Sequence, residues 1–409
     1  MTVIIIDYFS GIAISNSQKK ILKKIFLGIS ISSNLLILFF FKYFNFFIEN
    51  IEILSGNSYY KLNVILPIGL SFHTFQSLSY VIEVYRGNHP PEKRFDVFAL
   101  YVLFFPQLVA GPIERPQNII HQIRTYSTFN YINFINGLKY ISLGLIKKCV
   151  LADRIGIYVD DIYANINISN SYQILLVILL FSLQIYFDFS GYSDIAIGSA
   201  KCLGINLMQN FNLPYMAKSL KEFWTRWHIS LSRWFKDYVF IPLGGNRESK
   251  FKHFINIMAV FLLSGLWHGA SWNFVIWGAL HGLLLYISSY FKFSFNKKYS
   301  HLFFLDVAFN FIIVSVLWVF FRSPNFNTTF ALFNGILNFK HTGITLFTNP
   351  NFQLYSLLLI ILGMLFIQCL KKWYYNPNSK FNISLLIVNF IFILTLGIFS
   401  NQSFIYFQF

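Results

Sequence analysis

Long runs of apolar residues constrain this chain more than any other feature. A helix that spans a bilayer needs about 20 mainly apolar residues. Candidate segments lie near 25–48, 62–84, 96–111, 134–158, 172–200, 254–267, 272–291, 303–321, 353–370 and 382–400. Only 12% of the 409 residues are charged, whereas soluble domains carry about 25%. Because helices satisfy backbone polar groups within one segment, the sequence predicts an all-α protein that crosses the bilayer many times.

The net charge of +16 is compatible with either nucleic-acid binding or orientation in a membrane. The basic residues form short pairs between apolar runs, at 19–20, 23–24, 147–148, 297–298 and 371–372. This pattern is typical of loops held on the cytoplasmic side by the positive-inside rule. No basic surface domain remains, so we expect a lipid bilayer and no nucleic acid as partner.

The segment 201–253 departs from this apolar pattern. It mixes cations with aromatic residues, as interfacial helices do. The mixture includes Lys218, Lys221, Trp224, Arg226, Trp227, Arg233, Trp234, Lys236 and Tyr238. Irregular backbone at membrane depth is tolerated only where it is buried in protein or faces water. We expect short helices that dip into the membrane around a cavity and end at the turn 242–247.

Two histidines occupy positions where an imidazole can carry chemistry. His268 follows Trp267 in the apolar run 254–285, and His228 follows Trp227 in a segment too polar to face lipid. Ionisable groups at membrane depth usually line a cavity or pathway, and imidazole suits proton transfer near neutral pH. His268 could instead be a core histidine bonded to a helix carbonyl, and His228 an interfacial residue among lipid headgroups. Sequence alone does not show whether the two meet.

A third group of polar residues lies in the run YFDFSGYSD at 186–194. Asp188 and Asp194 follow an apolar span and, six residues apart, point to different faces of a helix. They are candidates for ties between helices at a helix break, which we favour, or for the lining of a pore. Ser190 and Tyr192 are candidate polar lining residues.

Several chemistries lack their motifs in this sequence. No H-E-x-x-H or Cys/His cluster indicates zinc, and no P-loop, dinucleotide fingerprint or G-x-S-x-G elbow occurs. Cys149, Cys202 and Cys369 are isolated, which argues against a disulfide framework or thiolate metal site. We therefore expect no metal and no bound cofactor. His73 and His281 are expected to be packed polar residues.

Five segments together resemble the membrane-bound O-acyltransferase (MBOAT) family, in the bacterial branch that contains alginate and peptidoglycan O-acetyltransferases. They are FPQLVAGPIERP at 105–116, YFDFSGYSDIAIG at 186–198, the stretch from FNLPY at 211 through FWTRWHISLSRWFKDYVFIPLGGNR to 247, LSGLWHGASWNFVIWGALHG at 263–282, and FIYFQF at 404–409. Their order and spacing are specific. The D-alanine-transferring branch resembles the chain less well, since IPLGGNR and ERPQN point to the alginate-like group.

The resemblance implies a ring of membrane helices around a tunnel in the bacterial inner membrane. It implies transfer of an acyl group, most simply acetyl, from a cytoplasmic thioester such as acyl-CoA or an acyl carrier. The acceptor would be a hydroxyl of a polysaccharide or peptidoglycan, or a periplasmic acetyltransferase partner. The family's catalytic positions fall on His268 and His228. Candidate tunnel or substrate contacts are Trp224, Arg226, Trp227, Trp267, Asp188, Ser190, Tyr192, Asp194 and Tyr406.

The resemblance also implies a single membrane domain over 1–409. Relatives usually begin with about two further membrane segments before the part that matches IIIDYF, so we expect a truncated start or a shorter variant. An alternative function is a proton-coupled transporter or flippase that relays protons through the same buried histidines and aspartates. Such proteins often carry inverted repeats, which this sequence lacks. A non-catalytic membrane scaffold fits the composition but not the tryptophan–histidine segments.

Overall fold

Helices form every regular element in the described part of the chain, as the apolar runs predict. The computed structural model describes residues 1–109, 111–125, 128–167, 169–290, 302–338, 382–399 and 404. These residues form two compact units. The first comprises 1–130 and 200–208, and the second comprises 131–199 and 209–409.

The first unit is built around its N-terminal helices. Its helices are α1 Thr2–Asn16, α2 Lys20–Leu38, α3 Phe44–Ser55, α4 Leu70–Arg86, α5 Phe95–Val102 and α6 Pro116–Arg124. A buried carboxylate ties three of them together. Asp7 on α1 accepts hydrogen bonds from Ser30 and Asn34 on α2, at 2.6 and 2.8 Å, and from Ser77 on α4. A buried carboxylate with several donors avoids the cost of an unpaired charge.

One predicted span of the first unit begins later than expected. The apolar run 62–84 is helical only from Leu70 onward. Gly69, immediately before α4, has a left-handed φ of 77°, and a Cβ there would lie 2.1 Å from the Leu108 carbonyl oxygen. Such a backbone conformation and close approach suit glycine alone, so the helix cannot continue upstream. The apolar run therefore predicts too early a start for α4, because amino-acid composition carries no information about the backbone angle φ of Gly69.

The second unit contains all of the histidine and aspartate candidates. Its helices are α7 Tyr131–Leu145, α8 Asp153–Ala164, α9 Ser171–Cys202 (whose residues 200–202 belong to the first unit), α10 Leu220–Arg226, α11 Ile229–Phe235, α12 Lys250–His268, α13 Trp272–Tyr290, α14 Phe303–Arg322, α15 Phe326–Leu337 and α16 Asn382–Leu396. Apolar side chains of α9, α14 and α15 pack into one core around Ile174, Val319 and Leu332. The short α10 and α11 occupy the segment that was expected to hold short helices.

The predicted loop at Lys147 and Lys148 is wrong. A π-helical segment, Ile146–Ala152, joins α7 to α8, so both lysines lie inside continuous helix. Lys147 Nζ lies 2.5 Å from Asp194, and Lys148 Nζ lies 2.8 Å from Asp188 and 2.7 Å from Asp153. These aspartates pair with the lysines inside the protein, so neither lysine needs an aqueous loop.

Helices α12 and α13 pack closely enough for their backbones to touch. A Cβ on Gly265 of α12 would lie 2.2 Å from the Phe274 carbonyl oxygen, and a Cβ on Gly278 of α13 would lie 2.2 Å from the Phe261 carbonyl oxygen. Small residues allow this approach in membrane helices. This close packing of α12 against α13 fixes the side chains that lie on the same helix face as Gly265 and Gly278.

By length and composition, three of the described helical segments could cross a membrane: Lys20–Ser55, Ser171–Cys202 and Phe303–Arg322. The first of these is α2 and α3 joined by the π-helical turn Phe39–Tyr43. The second runs without interruption through the 186–194 motif. The helix break that we expected near Asp188 and Asp194 is therefore wrong.

Candidate active site

His268 is the last residue of α12 and lies among aromatic rings. The backbone becomes extended at Gly269, and α13 begins at Trp272. The imidazole is 6% exposed. Its ring centroid lies 4.9 Å from Trp267, 5.2 Å from Trp277 and 5.2 Å from Phe321. Such surroundings have a low dielectric, which strengthens the electrostatic interactions of a group placed there.

His228 lies between α10 and α11 in a strained backbone conformation. Its φ of 41° and ψ of 55° fall in the left-handed region, which few residues other than glycine adopt. Holding a non-glycine residue there costs on the order of 1–3 kcal/mol and is frequent at functional sites. The side chain is 1% exposed. The strain turns the chain between two short helices and directs the imidazole into the protein.

Asn210 holds His228 in place. Its Oδ1 lies 3.1 Å from His228 Nδ1 and accepts from the Ser230 backbone N–H at 3.2 Å and from Ser230 Oγ at 2.9 Å. Its backbone carbonyl accepts from the Ile229 N–H at 2.9 Å. Its Nδ2 donates to Ser193 Oγ on α9 at 3.3 Å. One asparagine therefore holds the histidine, the two residues that follow it and Ser193 of α9.

The hydrogen bonds of Asn210 also determine the tautomer of His228. A backbone N–H can only donate, so the Asn210 atom that receives the Ser230 N–H is the carbonyl oxygen. His228 Nδ1 must then carry the hydrogen, which leaves the lone pair on Nε2. Burial lowers the pKa of His228 to about 3, because desolvation opposes the protonated form. His228 is therefore a neutral imidazole at physiological pH.

The structure brings the two predicted histidines to the same indole. The ring centroid of Trp267 lies 6.2 Å from His228 and 4.9 Å from His268. Trp267 is itself buried, at 4% exposure. Residues 40 positions apart in the sequence thus share one contact residue, a proximity that the sequence did not show.

Trp224 and Trp227, also predicted as site residues, belong to a larger set of aromatic rings. Trp227 stacks on Phe223 with ring centroids 5.5 Å apart and lies 5.0 Å from Trp318. Trp318 stacks on Trp277 at 5.7 Å. We call Trp224, Trp227, Trp267, Trp277, Trp318 and Phe321 the aromatic cluster. Edge-to-face and stacked rings are stable, rigid packing, so the cluster gives the histidines fixed surroundings.

The candidate residues in the 186–194 run form ion pairs, lie buried or stack on an aromatic ring. Asp188 and Asp194 form the ion pairs with Lys148 and Lys147, and Ser190 is buried at 1% exposure. Tyr192 stacks on Phe404 with ring centroids 4.8 Å apart. Within the described residues, the two aspartates of this run therefore tie α9 to the segment that joins α7 and α8. Their role at the site was an expectation and stays a proposal.

Two residues of α9 that the sequence did not single out contact the His228 region. Phe189 lies edge-to-face against the His228 ring, with centroids 4.7 Å apart, and Ser193 accepts from Asn210. Both lie between the predicted Asp188 and Asp194. Their spacing of four residues places them on one helix face, the signal that could have identified them.

The two remaining candidate residues are Arg226 and Tyr406. Arg226 pairs with Glu222 one turn earlier on α10, with 2.6 Å between nitrogen and oxygen, and both side chains are about 30% exposed. An exposed pair of this kind contributes little to stability. Tyr406 lies outside the described residues. In the described ranges, no group of three or more His, Cys, Asp or Glu residues could hold a metal ion.

The sequence model of the membrane-bound O-acyltransferase family matches residues 95–328. This range includes both histidines, Asn210 and the aromatic cluster. The chain therefore belongs to the membrane-bound O-acyltransferase family. Its membership agrees with the all-α architecture and with the apolar helices.

Similar proteins carry the names of enzymes that act on peptidoglycan, alginate and teichoic acid. The chain is 36% identical over 367 residues to the peptidoglycan O-acetyltransferase of Helicobacter pylori, an alignment that covers 82% of this chain and 68% of the relative. It is 37% identical over 351 residues to the probable alginate O-acetylase AlgI of Pseudomonas aeruginosa, covering 84% and 66%. Identity to the teichoic acid D-alanyltransferase of Bacillus subtilis is 31% over 250 residues, covering 59% and 63%. The chain thus spans about two thirds of the length of these relatives.

Proposed function

We propose that this protein transfers an acyl group, most simply acetyl, from a thioester donor to a hydroxyl group. The observation that carries the proposal is the contact of His228 and His268 with the same buried indole, Trp267. Proton transfer needs a neutral imidazole in a fixed orientation. Burial keeps the His228 imidazole neutral, and the aromatic cluster restricts the movement of both histidine rings.

His268 is the proposed general base. A hydroxyl is a weak nucleophile at neutral pH, so a base must remove its proton as the oxygen attacks the thioester carbonyl. The new carbon–oxygen bond forms, the carbon–sulfur bond breaks, and the proton passes through the imidazole to the departing thiolate. General-base assistance of this kind is worth about 10²–10⁴-fold.

His228 has a different proposed role. Its Nδ1–H is engaged with Asn210, so Nε2 carries the lone pair and is the hydrogen-bond acceptor of the ring. An acceptor fixed in this way can bind a second hydroxyl of the acceptor molecule and so orient it, which leaves the hydrogen of the attacking hydroxyl to His268. We therefore assign His228 to positioning the nucleophile and His268 to removing its proton.

The names of the relatives support a cell-surface acceptor. They act, by name, on peptidoglycan, alginate and teichoic acid, all rich in hydroxyl groups. For this chain we propose a polysaccharide or peptidoglycan hydroxyl, reached directly or through a periplasmic acetyltransferase partner. The donor is a cytoplasmic thioester, acetyl-CoA or an acyl carrier. A tunnel ringed by membrane helices, in a multi-pass protein of the inner membrane, would let the two substrates meet.

Proton-coupled transport is the competing function. It would need the histidines and aspartates in one relay. Asp188 and Asp194 instead pair with Lys148 and Lys147, whereas His228 and His268 contact aromatic rings. Both aspartates are thus engaged by lysines, which favours the acyltransferase.

Transfer of a radiolabelled acetyl group from acetyl-CoA by the purified, detergent-solubilised protein tests the proposal. His268→Gln should lower the rate by about 10²–10⁴-fold while the variant still inserts and purifies. His121→Gln, at an exposed histidine on α6, is the matched control and should keep the wild-type rate. Near-normal transfer by His268→Gln would show that another group is the base.

A further inference from the structure

His281, expected to be a packed residue, has unusual surroundings on α13. Its side chain is 0% exposed. Its ring centroid lies 4.9 Å from Trp277 and 5.0 Å from Trp224, both in the aromatic cluster. Neither ring nitrogen has a hydrogen-bond partner in the part of the chain that the structure describes.

The two neighbouring indoles share this property. The Nε1 atoms of Trp224 and Trp277 are buried and have no hydrogen-bond partner among the described residues. The two indole centroids lie 5.9 Å apart. Trp318, stacked on Trp277, differs, because its Nε1 donates to the Tyr215 hydroxyl at 3.1 Å. An indole N–H of the aromatic cluster can thus find an acceptor within the protein, as Trp318 does. The N–H groups of Trp224 and Trp277 have no such acceptor among the described residues.

Four orphan polar atoms in three touching rings call for a polar ligand. More than about 90% of buried polar groups have a hydrogen-bond partner, and each buried polar group without a partner destabilises the protein. A neutral imidazole offers one donor and one acceptor, and each indole offers one donor. The three rings together present three donors and one acceptor. The complementary group is rich in acceptors, as a carbonyl oxygen with two lone pairs is.

We infer that His281, Trp224 and Trp277 form a binding site for a carbonyl oxygen of the acyl donor. The inference rests on the proposed function, because it takes a thioester as the donor. Trp277 contacts both His281 and His268, at 4.9 and 5.2 Å. A donor carbonyl bound at His281 therefore contacts the same indole as the proposed base. His281 binds the donor and takes no part in proton transfer.

His281→Phe separates this role from simple packing. The substitution keeps an aromatic ring and removes both nitrogens. Replacing an unsatisfied polar group by an apolar one of similar shape is neutral or stabilising, so the thermal midpoint should stay level or rise. KM for acetyl-CoA should rise about 3- to 10-fold, the value of one hydrogen bond, with little change in kcat. His253→Phe on α12 is the matched control and should leave KM unchanged.

Stabilisation by bound donor provides a second readout that needs no turnover. Acetyl-CoA should raise the thermal midpoint of the wild type more than that of His281→Phe. If the rise in thermal midpoint differs between wild type and His281→Phe with acetyl-CoA but not with free CoA, the site binds the thioester carbonyl. A difference seen with both assigns it to an amide carbonyl of the pantetheine arm.

Three results would overturn the inference. An unchanged KM with a raised midpoint means that His281 is only packed. An unchanged KM with a lowered midpoint means that the orphan atoms hold structural water. Equal stabilisation of wild type and His281→Phe by acetyl-CoA means that the donor binds elsewhere. Donor binding that depends on His281 without any transfer would instead count against the proposed function alone.

Discussion

At the scale of single residues, Asn210 controls the protonated nitrogen of His228. Asn210→Ala removes the oxygen that accepts from His228 Nδ1 and from the Ser230 N–H. Each buried donor left without an acceptor costs about 1–3 kcal/mol. We expect a lower thermal midpoint and slower acyl transfer than in Asn165→Ala, a control at an exposed asparagine after α8. Equal midpoints and rates for the two variants would contradict the assignment of Asn210.

The buried imidazole of His228 makes stability depend on acidity. Its pKa is about 3 in the folded protein and ordinarily 6.5, so the unfolded chain binds one more proton between these values. Its contribution is complete above pH 6.5 and is lost as the pH falls toward 3, at about 1.4 kcal/mol per pH unit. His228→Asn, which does not titrate, should flatten the dependence of unfolding free energy on pH by this slope. Parallel curves for the two proteins would show that the ring is not buried in its neutral form.

The sequence predicts His228 and His268 as candidate site residues, because histidines at membrane depth usually line a cavity or pathway and imidazole can transfer protons near neutral pH. It did not identify Asn210, since asparagine is frequent in this chain and its importance comes from one turn. That turn depends on the left-handed backbone at His228, which residue type does not reveal. The contact of both histidines with Trp267 likewise depends on how His228, between α10 and α11, packs against Trp267 of α12, and sequence spacing does not reveal that packing.

At the scale of helices, the contact between α12 and α13 requires glycine. A Cβ on Gly265 would lie 2.2 Å from the Phe274 carbonyl oxygen, a backbone atom that cannot move aside. Gly265→Ala should separate the helices, displace His268 and lower the thermal midpoint, at a cost of about 1–3 kcal/mol for overpacking. Gly28→Ala is the control, because no atom lies within 4 Å of its added methyl group. Equal midpoints for the two variants would refute the close contact.

The sequence predicts which segments form helices. It does not predict where a helix begins or ends, or that charged residues lie inside one. Apolar length alone found α9, α12, α13 and α14, because a membrane helix must be long and apolar. The start of α4 depended on the φ of Gly69. The helical interior at Lys147 depended on Asp194, which is distant in sequence and supplies the opposite charge.

At the scale of the whole molecule, acyl transfer predicts a change in the cell envelope. A strain that lacks this gene should lose O-acetyl esters from one surface glycan, because hydroxyl acceptors of this kind are the substrates named for its relatives. Mass analysis of fractionated envelope polymers would identify that glycan. The wild-type gene should restore the esters, and the His268→Gln gene should not. Unchanged ester content in every fraction would contradict a surface glycan acceptor.

The buried ion pairs between the α7–α8 segment and α9 have a consequence for biogenesis. A lone lysine at the centre of a helix costs about 2.5–3.5 kcal/mol to insert through the translocon, and Lys147 and Lys148 are adjacent. Asp153 supplies a counterion to Lys148 within the same segment, whereas the counterion of Lys147 arrives only when Asp194 has been synthesised. The nascent 131–164 segment is thus poorly suited to enter lipid alone, and its integration should be coupled to that of the following helix.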